Sequence, residues 1–479
     1  MGRVVRFALI VFAFASLMAA RTGGATTDPS AVISGIDAKR DAYAGVAMQI
    51  WNFAEVGYQE AKSSALLQDA LRAAGFTVQA GVAEIPTAFV ATFGSGRPVI
   101  GILGEFDALP GLSQQAVPER QAVTAGAPGH GCGHHLFGTG SMAAAIAVKD
   151  WLAAGRRPGT IRYYGTPAEE GGAGKVYMLR AGLFDDVDAV VSWHAGDRNQ
   201  AGAASTLANV NAKFRFHGLS AHAAGAPERG RSALDGVLAM THMVDMLREH
   251  VPSDTRIHYV ITGGGAAPNV VPDFAEVYLY ARHNDMAQLD GIWDRIIAAS
   301  KGAALGTGTT VEHEVMGAVY NVLPNDYLAG LQQTNLLRVG GVTYTAEEQA
   351  FAEKLRTTLQ PPLQPLGSES RIQEPRTEIG NNSTDTGDVS WKVPTVQLTA
   401  ATWVPGTPAH SWQAVAAGGT SIGVKGMMVA AKTMALTAID LLTDPSHVEK
   451  AKAELVERRA GHVYNSRIGD RKPPLDYRK

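Results

Sequence analysis

The stretch His130-Gly-Cys132-Gly-His134-His135 packs three imidazoles and the chain's single thiol into six residues. Imidazole and thiolate are good ligands for zinc and neighbouring divalent ions, and flanking glycines let the backbone fold closely around an ion. Two other readings fit the same residues: a cysteine nucleophile beside its histidine base, or a Gly-rich loop with incidental histidines. A second stretch, GTPAEEGG at residues 165–172, sets Glu169 beside Glu170. Adjacent carboxylates can divide the work, one binding metal while the other serves as general base toward a water; the alternative is a solvated acidic turn. His194 closes the run AVVSW, and His410 lies in PGTPAHSW. The resulting ligand set is Cys132, His134, Glu170, His194 and His410, with Glu169 left over. Five mixed N, S and O ligands are too many for one closed tetrahedral site. They suit two ions roughly 3.5–4 Å apart that share a ligand or a water.

The surrounding elements have to hold these residues at one place. Apolar spacing near 3.6 predicts helices over 31–57 and 61–75. Unbroken apolar runs predict buried strands at 87–93, 98–103, 160–164 and 189–192, with helices over 139–154 and 175–181 between them. That alternation points to an α/β fold, a mixed and mostly parallel sheet covered by helices, in which sites form beyond the carboxyl ends of strands. From residue 207 the pattern changes to strand–helix–strand–strand–helix–strand, ending near 315. This is the order of a ferredoxin-like α+β domain inserted into the larger one. A helix over 346–359, an exposed Pro-rich loop around PPLQPLGSESRIQEPR, a strand at 395–399 and a long helix over 421–442 complete the catalytic body. The expected division is therefore 1–25 signal peptide, 26–206 and 316–445 catalytic domain, 207–315 inserted domain, and 446–479 a charged, loosely attached tail.

Composition excludes several classes. A hydrophobic fraction of 46% in 479 residues is globular rather than disordered. A net charge of -3 offers no bulk attraction for nucleic acid or an anionic membrane. One cysteine excludes an intrachain disulfide framework and any all-cysteine metal site. At the start, two arginines, the apolar run FALIVFAFASLMAA and small residues follow the layout of a secretory signal. Secretion or periplasmic location is expected, with no membrane span after cleavage.

The motifs GEFDALPGLSQ (104–114), GHGCGHHLFGTG (129–140), GTPAEEGGAGK (165–175), HGLSAHAAGAPERGRSALD (217–235), PNVVP (268–272), STDTGDVSW (383–391) and PAHSW (408–412) occur in that order. With them the chain resembles the dinuclear metallo-amidohydrolases that include aminoacylases, carboxypeptidases and plant auxin-conjugate hydrolases, over roughly 33–442. The resemblance implies two divalent ions (Mn²⁺ or Zn²⁺, with Co²⁺ compatible) on Cys132, His134, Glu170, His194 and His410. Cys132 stands where other branches have a bridging aspartate, and Glu169 is the general base. Asp107 falls on a position that orients the site. The inserted domain becomes a lid and dimerisation domain whose His222 reaches a partner's active site. Asn269 and Arg282 hold a substrate carboxylate. His135 stands where relatives often carry Asp or Asn, as a supporting neighbour or alternative ligand.

The function implied is hydrolysis of the amide bond of an N-acyl or N-aroyl amino acid (p-aminobenzoyl-glutamate-like) or a small dipeptide, by a metal-bridging hydroxide. The implied assembly is a homodimer or a pair with a sister subunit. A cysteine-nucleophile hydrolase using Cys132 and a non-catalytic metal-dependent binding protein are the rival classes.

Overall fold

The computed structural model describes residues 28–202, 204–361 and 363–478; the signal-like residues 1–25 lie outside the described residues. Among the described residues, eight strands form the main sheet. In chain order they are β1 (Thr77–Ala80), β2 (Phe89–Ser95), β3 (Val99–Gly104), β4 (Gly159–Gly165), β5 (Ala189–Gly196), β6 (Asn199–Gly202), β11 (Ile372–Arg376) and β12 (Thr395–Ala401). Between β6 and β11 the chain builds a second sheet from β7 (Ala208–His217), β8 (Arg256–Gly263), β9 (Phe274–His283) and β10 (Thr310–Val319).

The main sheet has the order β1-β2-β4-β3-β5-β12-β6-β11. Its centre, β4-β3-β5-β12, is parallel throughout, as expected for strands buried on both faces. Antiparallel pairings enter toward both sides, at β1–β2, β2–β4 and β12–β6. The helix His134–Gly155 packs on one face beside the helix Ser421–Thr443. A Cβ on Gly140 would come within 3.0 Å of both the Trp193 ring and Met427 Cγ, so glycine is what allows this close approach. Trp193 Nε1 donates to Phe137 O at 3.1 Å. This packing brings the start of that helix against the end of β5, where the ligand candidates lie.

The second sheet is antiparallel throughout, in the order β10-β7-β9-β8. Helices Ala233–Leu247 and Met286–Thr307 cover one face, over Val210, Ala212, Phe214 and Phe216 of β7 and Val277, Leu279 and Ala281 of β9. Its last strand runs past residue 315 to Val319 because a bulge between Val315 and Gly317 carries the pairing onward.

Several local expectations need correction. The helix expected over 31–57 is two, Pro29–Asp37 and Arg40–Phe53, the second ended by Ala54 in the left-handed region (φ 45). The loop around residues 361–376 contains β11, parallel to β6. Its polar sequence IQEPR hid it, and Pro375 is tolerated because β11 is the edge strand. Ser421–Thr443 is long and apolar enough to cross a membrane, contrary to expectation, but it is buried as a core helix. The tail is firmly held: Pro445–Arg459 is helical, and residues 460–478 run back across the molecule.

Candidate active site

The site gathers at the carboxyl ends of β3, β4, β5 and β12. Glu105 and Asp107 follow β3, the turn 166–173 follows β4, His194 is within β5, and His410 follows β12 by a short loop. Gly133, at φ 75, caps the helix that begins with His134. His134 and His135 of GHGCGHH therefore sit on its first turn. His410 is in the left-handed region at φ 57, and its N–H donates to Gly131 O at 2.8 Å, which fastens the two motif loops to each other.

Donor atoms of Cys132, His134 and His194 all lie within 4.8 Å of one another, and so do those of Cys132, Glu170 and His410. Cys132 belongs to both triads. Its Sγ is 3.5 Å from His194 Nε2, and His410 Nε2 is 3.2 Å from Glu170 Oε1. Asp107, fully buried, accepts at Oδ1 from His134 Nδ1 (2.9 Å) and at Oδ2 from the Glu170 N–H (2.9 Å). One carboxylate thus orients two ligand candidates, the usual way a neighbouring acid fixes a ligating histidine. His134 Nε2 and Glu105 Oε2 approach to 3.0 Å without a hydrogen bond, and Glu170 Oε1 is likewise buried without one. These atoms meet as ion pairs, His134 with Glu105 and Glu170 with His410, and the missing hydrogen bonds leave buried polar groups incompletely satisfied, which is costly. Two triads of N, S and O donors around such atoms fit a pair of divalent cations.

The electrostatics of the three histidines divide: at His134 burial is outweighed by Cys132, Asp107 and Glu105, which raise it, and the Glu170 carboxylate beside it raises His410. Burial, followed by the nearby His134, lowers His194 to about 4, so it is a neutral imidazole able to ligate. Burial, then the facing Glu170 carboxylate, pushes the Cys132 thiol well up. A thiol nucleophile needs the opposite shift, which disfavours the Cys132–His194 pair as a nucleophile and its base. A cation inverts the shift by drawing off the thiol proton. Burial, then the neighbouring carboxylates Glu105, Glu170 and Asp385, raises Glu169 well above the usual range, where a group that must take up a proton belongs.

Beneath Glu169 lies a buried network that no sequence pattern announced. Lys175 is fully buried, with Nζ 2.6 Å from both Glu105 Oε1 and Asp385 Oδ1. Glu60, also buried, accepts from the Ala168 N–H (2.9 Å) and Thr87 Oγ1 (3.0 Å). Glu105, Lys175 and Asp385 stand inside motifs already noted, but only the fold reveals that the lysine pairs with two acids distant in sequence.

The remaining candidates lie apart. His135 is buried, bonds Gly418 O through Nε2 (3.0 Å) and lies 4.9 Å, ring to ring, from His130. His222 and Asn269 are exposed on neighbouring loops of the second sheet's domain. They are joined by Ala223 N–H to Asn269 O (3.0 Å), and His222 Nδ1 accepts from the Gly225 N–H (3.0 Å). Arg282 is at the far end of β9, since Phe274 at the near end pairs with His217, which leads into the His222 loop. That separation along the strand is roughly 25 Å, so one chain does not bring Asn269 and Arg282 together. A cavity of about 880 Å³ opens on Cys132, Glu169, Glu170, His194 and His410, with Arg198 and Arg376 among its walls.

The pattern of Peptidase family M20/M25/M40 matches residues 101–411. The chain is 44% identical over 450 residues to one of the subunits of the p-aminobenzoyl-glutamate hydrolase of Escherichia coli, covering 88% of this chain and 93% of that one. It is 28% identical to the Xaa-Arg dipeptidase of Mus musculus over 88% of this chain and 90% of the relative. Its fold is shared with a dinuclear metal-binding peptidase of the M20 family from Bacillus subtilis (TM-score 0.58, 16% identity, 85% of this chain and 99% of that one). It is shared too with an aminobenzoyl-glutamate utilization protein from Klebsiella pneumoniae (TM-score 0.60, 18% identity, 85% and 98%). The matched span holds Asp107, both triads and Glu169, and with it the chain belongs to Peptidase family M20/M25/M40, as a metal-dependent hydrolase of amide bonds.

Proposed function

We propose that the protein hydrolyses the amide bond of an N-acyl or N-aroyl amino acid, or of a small dipeptide. The observation that carries this is Glu169: a half-buried carboxylate outside the two triads that share Cys132, grouped instead with the buried Glu105 and His134, adjacent to Glu170 and facing the same cavity. Similarity to a p-aminobenzoyl-glutamate hydrolase and to dipeptidases supports that substrate range. Cys132, His134 and His194 would hold one divalent ion and Cys132, Glu170 and His410 the other, with Cys132 shared. Mn²⁺ and Zn²⁺ both suit this donor set, and Co²⁺ is compatible. When bound, such ions acidify water and polarise a carbonyl.

The chain's own residues do the rest. Glu169 takes the proton of the attacking water and passes it to the leaving amine. Asp107 holds His134 and the Glu170 backbone in place. His222 supplies a donor for the developing oxyanion.

His222 is exposed and is not in the cavity wall, so we assign it to the site of a second copy. Support for a dimer comes from β8, the free edge of its sheet, where Val260 and Ile261 are exposed, and from exposed Leu238 and Met246 on the helix Ala233–Leu247. An open apolar edge invites pairing. Asn209, cross-strand partner of Arg282, is close in sequence to Thr206 of the cavity wall. A substrate carboxylate could therefore meet Arg282 of one copy and Asn269 of the other. A sister chain is the alternative partner, since the other subunit of the Escherichia coli hydrolase is also similar, at 29% identity over 54% of this chain. Residues 1–25 are proposed to direct export, which N-terminal sequencing of the mature protein would test.

The central test is Glu169→Ala, with metal content measured, on a panel of N-acyl amino acids, N-aroyl amino acids and dipeptides with Mn²⁺ or Zn²⁺ added separately. Loss of turnover with both ions retained supports the assignment; wild-type turnover rejects it.

A further inference from the structure

The turn that carries Glu169 and Glu170 is irregular and has to be held from outside. Ala168 is in the left-handed region at φ 57, and Gly171 at φ 95. Four backbone atoms of the turn are anchored by side chains. Glu60 accepts from the Ala168 N–H and Asp107 from the Glu170 N–H, both at 2.9 Å, while Tyr58 donates to Gly172 O at 2.7 Å. The fourth atom, the Glu170 carbonyl, accepts two hydrogen bonds, from Tyr477 OH (3.0 Å) and Arg478 Nη2 (2.8 Å). Three anchors thus come from the first quarter of the chain and the fourth from its last residues.

The tail that brings Tyr477 and Arg478 to this point is itself fastened along its length. Arg180 Nη1 donates to Gly469 O and Arg471 O, each at 2.7 Å. Gln59 donates to Leu475 O at 2.8 Å, and the Tyr477 ring meets Tyr58 edge-on at 5.6 Å. Gly57 lacks the Cβ that would sit 2.2 Å from Tyr477 Oη and 2.9 Å from Ala168 Cβ, so its absence lets tail and turn close on one another. The same tail also reaches the second sheet. Arg471 Nη1 donates to Val315 O (3.1 Å) and to Met316 O at the bulge of β10, and its Nη2 is 3.5 Å from Glu314.

We infer that residues 469–478 form a positioning arm for the hydrolytic centre: Tyr477 and Arg478 hold the Glu170 carbonyl, and Arg471 ties the same arm to β10 of the lid. The inference rests on the proposed roles of Glu169 and Glu170 and deepens them. Because Glu170 ligates through its side chain while its carbonyl is gripped from the tail, loosening the grip shifts a metal ligand and the base beside it together. Misplacement on the ångström scale is enough to cost a reaction one to two orders of magnitude.

The test is the double variant Tyr477→Phe/Arg478→Ala in the full chain, which keeps the aromatic packing and removes both donors. Four quantities are measured: kcat and KM of Mn²⁺- and Zn²⁺-loaded enzyme, affinity for each ion by chelator competition, amide exchange of residues 168–172, and thermal unfolding. The expected result is a ten- to a hundredfold fall in kcat with KM changed less, weaker metal binding and faster exchange in the turn, with Arg478→Lys alone restoring most of kcat. The inference is overturned if the double variant keeps wild-type kcat and wild-type metal affinity, or if lost activity only tracks lost folded protein. Metal affinity and exchange need no substrate. Should the wild type hydrolyse nothing in the panel while the variant still binds Mn²⁺ more weakly and exchanges faster, the arm stands and the hydrolase reading falls.

Discussion

The ligand cluster and the His222 loop are built in opposite ways. In the first, the Cys132 thiol, His134, Glu105 and Asp107 are buried, Glu169, Glu170 and His194 are half-buried, and His410 is exposed at the cavity. Each of several ligand candidates is set by a neighbour: His134 by Asp107, the Glu170 backbone by Asp107 and the C-terminal arm, the His410 backbone by Gly131. On the second sheet, His222 and Asn269 lie exposed, tied to the backbone of their own loops. One region is preorganised within a single chain, which is what holding two cations requires. The other lacks the surroundings that would make an imidazole a strong electrophilic donor, since water screens its charge. On the proposed reading the first region is the proton-handling and metal-holding half, and the second is a donor half that would acquire its environment on closure or on pairing with a second copy.

The largest effect should come from the shared ligand. Cys132→Ala is expected to lose metal and activity together, by at least about a thousandfold in kcat/KM, while Cys132→Asp retains part of both. Iodoacetamide should spare Cys132 in metal-loaded enzyme and alkylate it after chelation. Alkylation of loaded enzyme at an undiminished rate would break the buried half of the comparison. Next, His222→Ala should lower kcat about a hundred- to a thousandfold with metal content unchanged. Mixing His222→Ala with Glu169→Ala chains should restore up to a quarter of wild-type activity, as one competent site in a mixed dimer requires. No recovery on mixing places His222 in its own chain's site instead.

A smaller effect is expected from Asp107→Asn, which disturbs the orientation of His134 and weakens metal binding about ten- to a hundredfold, read by chelator competition. Last is a pH effect on stability rather than catalysis, away from the cluster. Asp388 is buried beneath Tyr320 and Tyr464, accepting from the Tyr320 N–H and Tyr464 OH at 2.9 Å each. Burial raises it from 3.8 to about 7. A raised carboxyl pKa means the folded chain holds the proton longer than the unfolded one. The associated stability is therefore present below about pH 4 and is lost as pH rises through about 7, by at most about 4 kcal/mol. Asp388→Asn should flatten that slope in denaturant titrations between about pH 4.5 and 7.5; an unchanged slope assigns it elsewhere.

Much of this was legible in the residues. The apolar runs of β2, β3, β4, β5 and β12 marked the buried centre of the main sheet, because strands covered on both faces need continuous apolar sequence. The three strands that went unread, β1, β6 and β11, lie toward the sheet's two edges, where half-exposed polar sequence leaves no such signature. The types and motif spacing of Cys132, His134, Glu169, Glu170, His194 and His410 announced metal chemistry, since few other arrangements call for so many soft and hard donors.

What only the tertiary structure decided is how those donors are held. Lys175 bridging Glu105 and Asp385, Glu60 beneath Ala168, and Tyr477 and Arg478 on the Glu170 carbonyl all pair residues tens to hundreds of positions apart. Sequence records the chemistry a side chain carries. Which distant backbone atom it meets is set by packing, and a charged tail that reads as loose solvent-facing chain becomes an anchor once the fold puts a carbonyl within its reach.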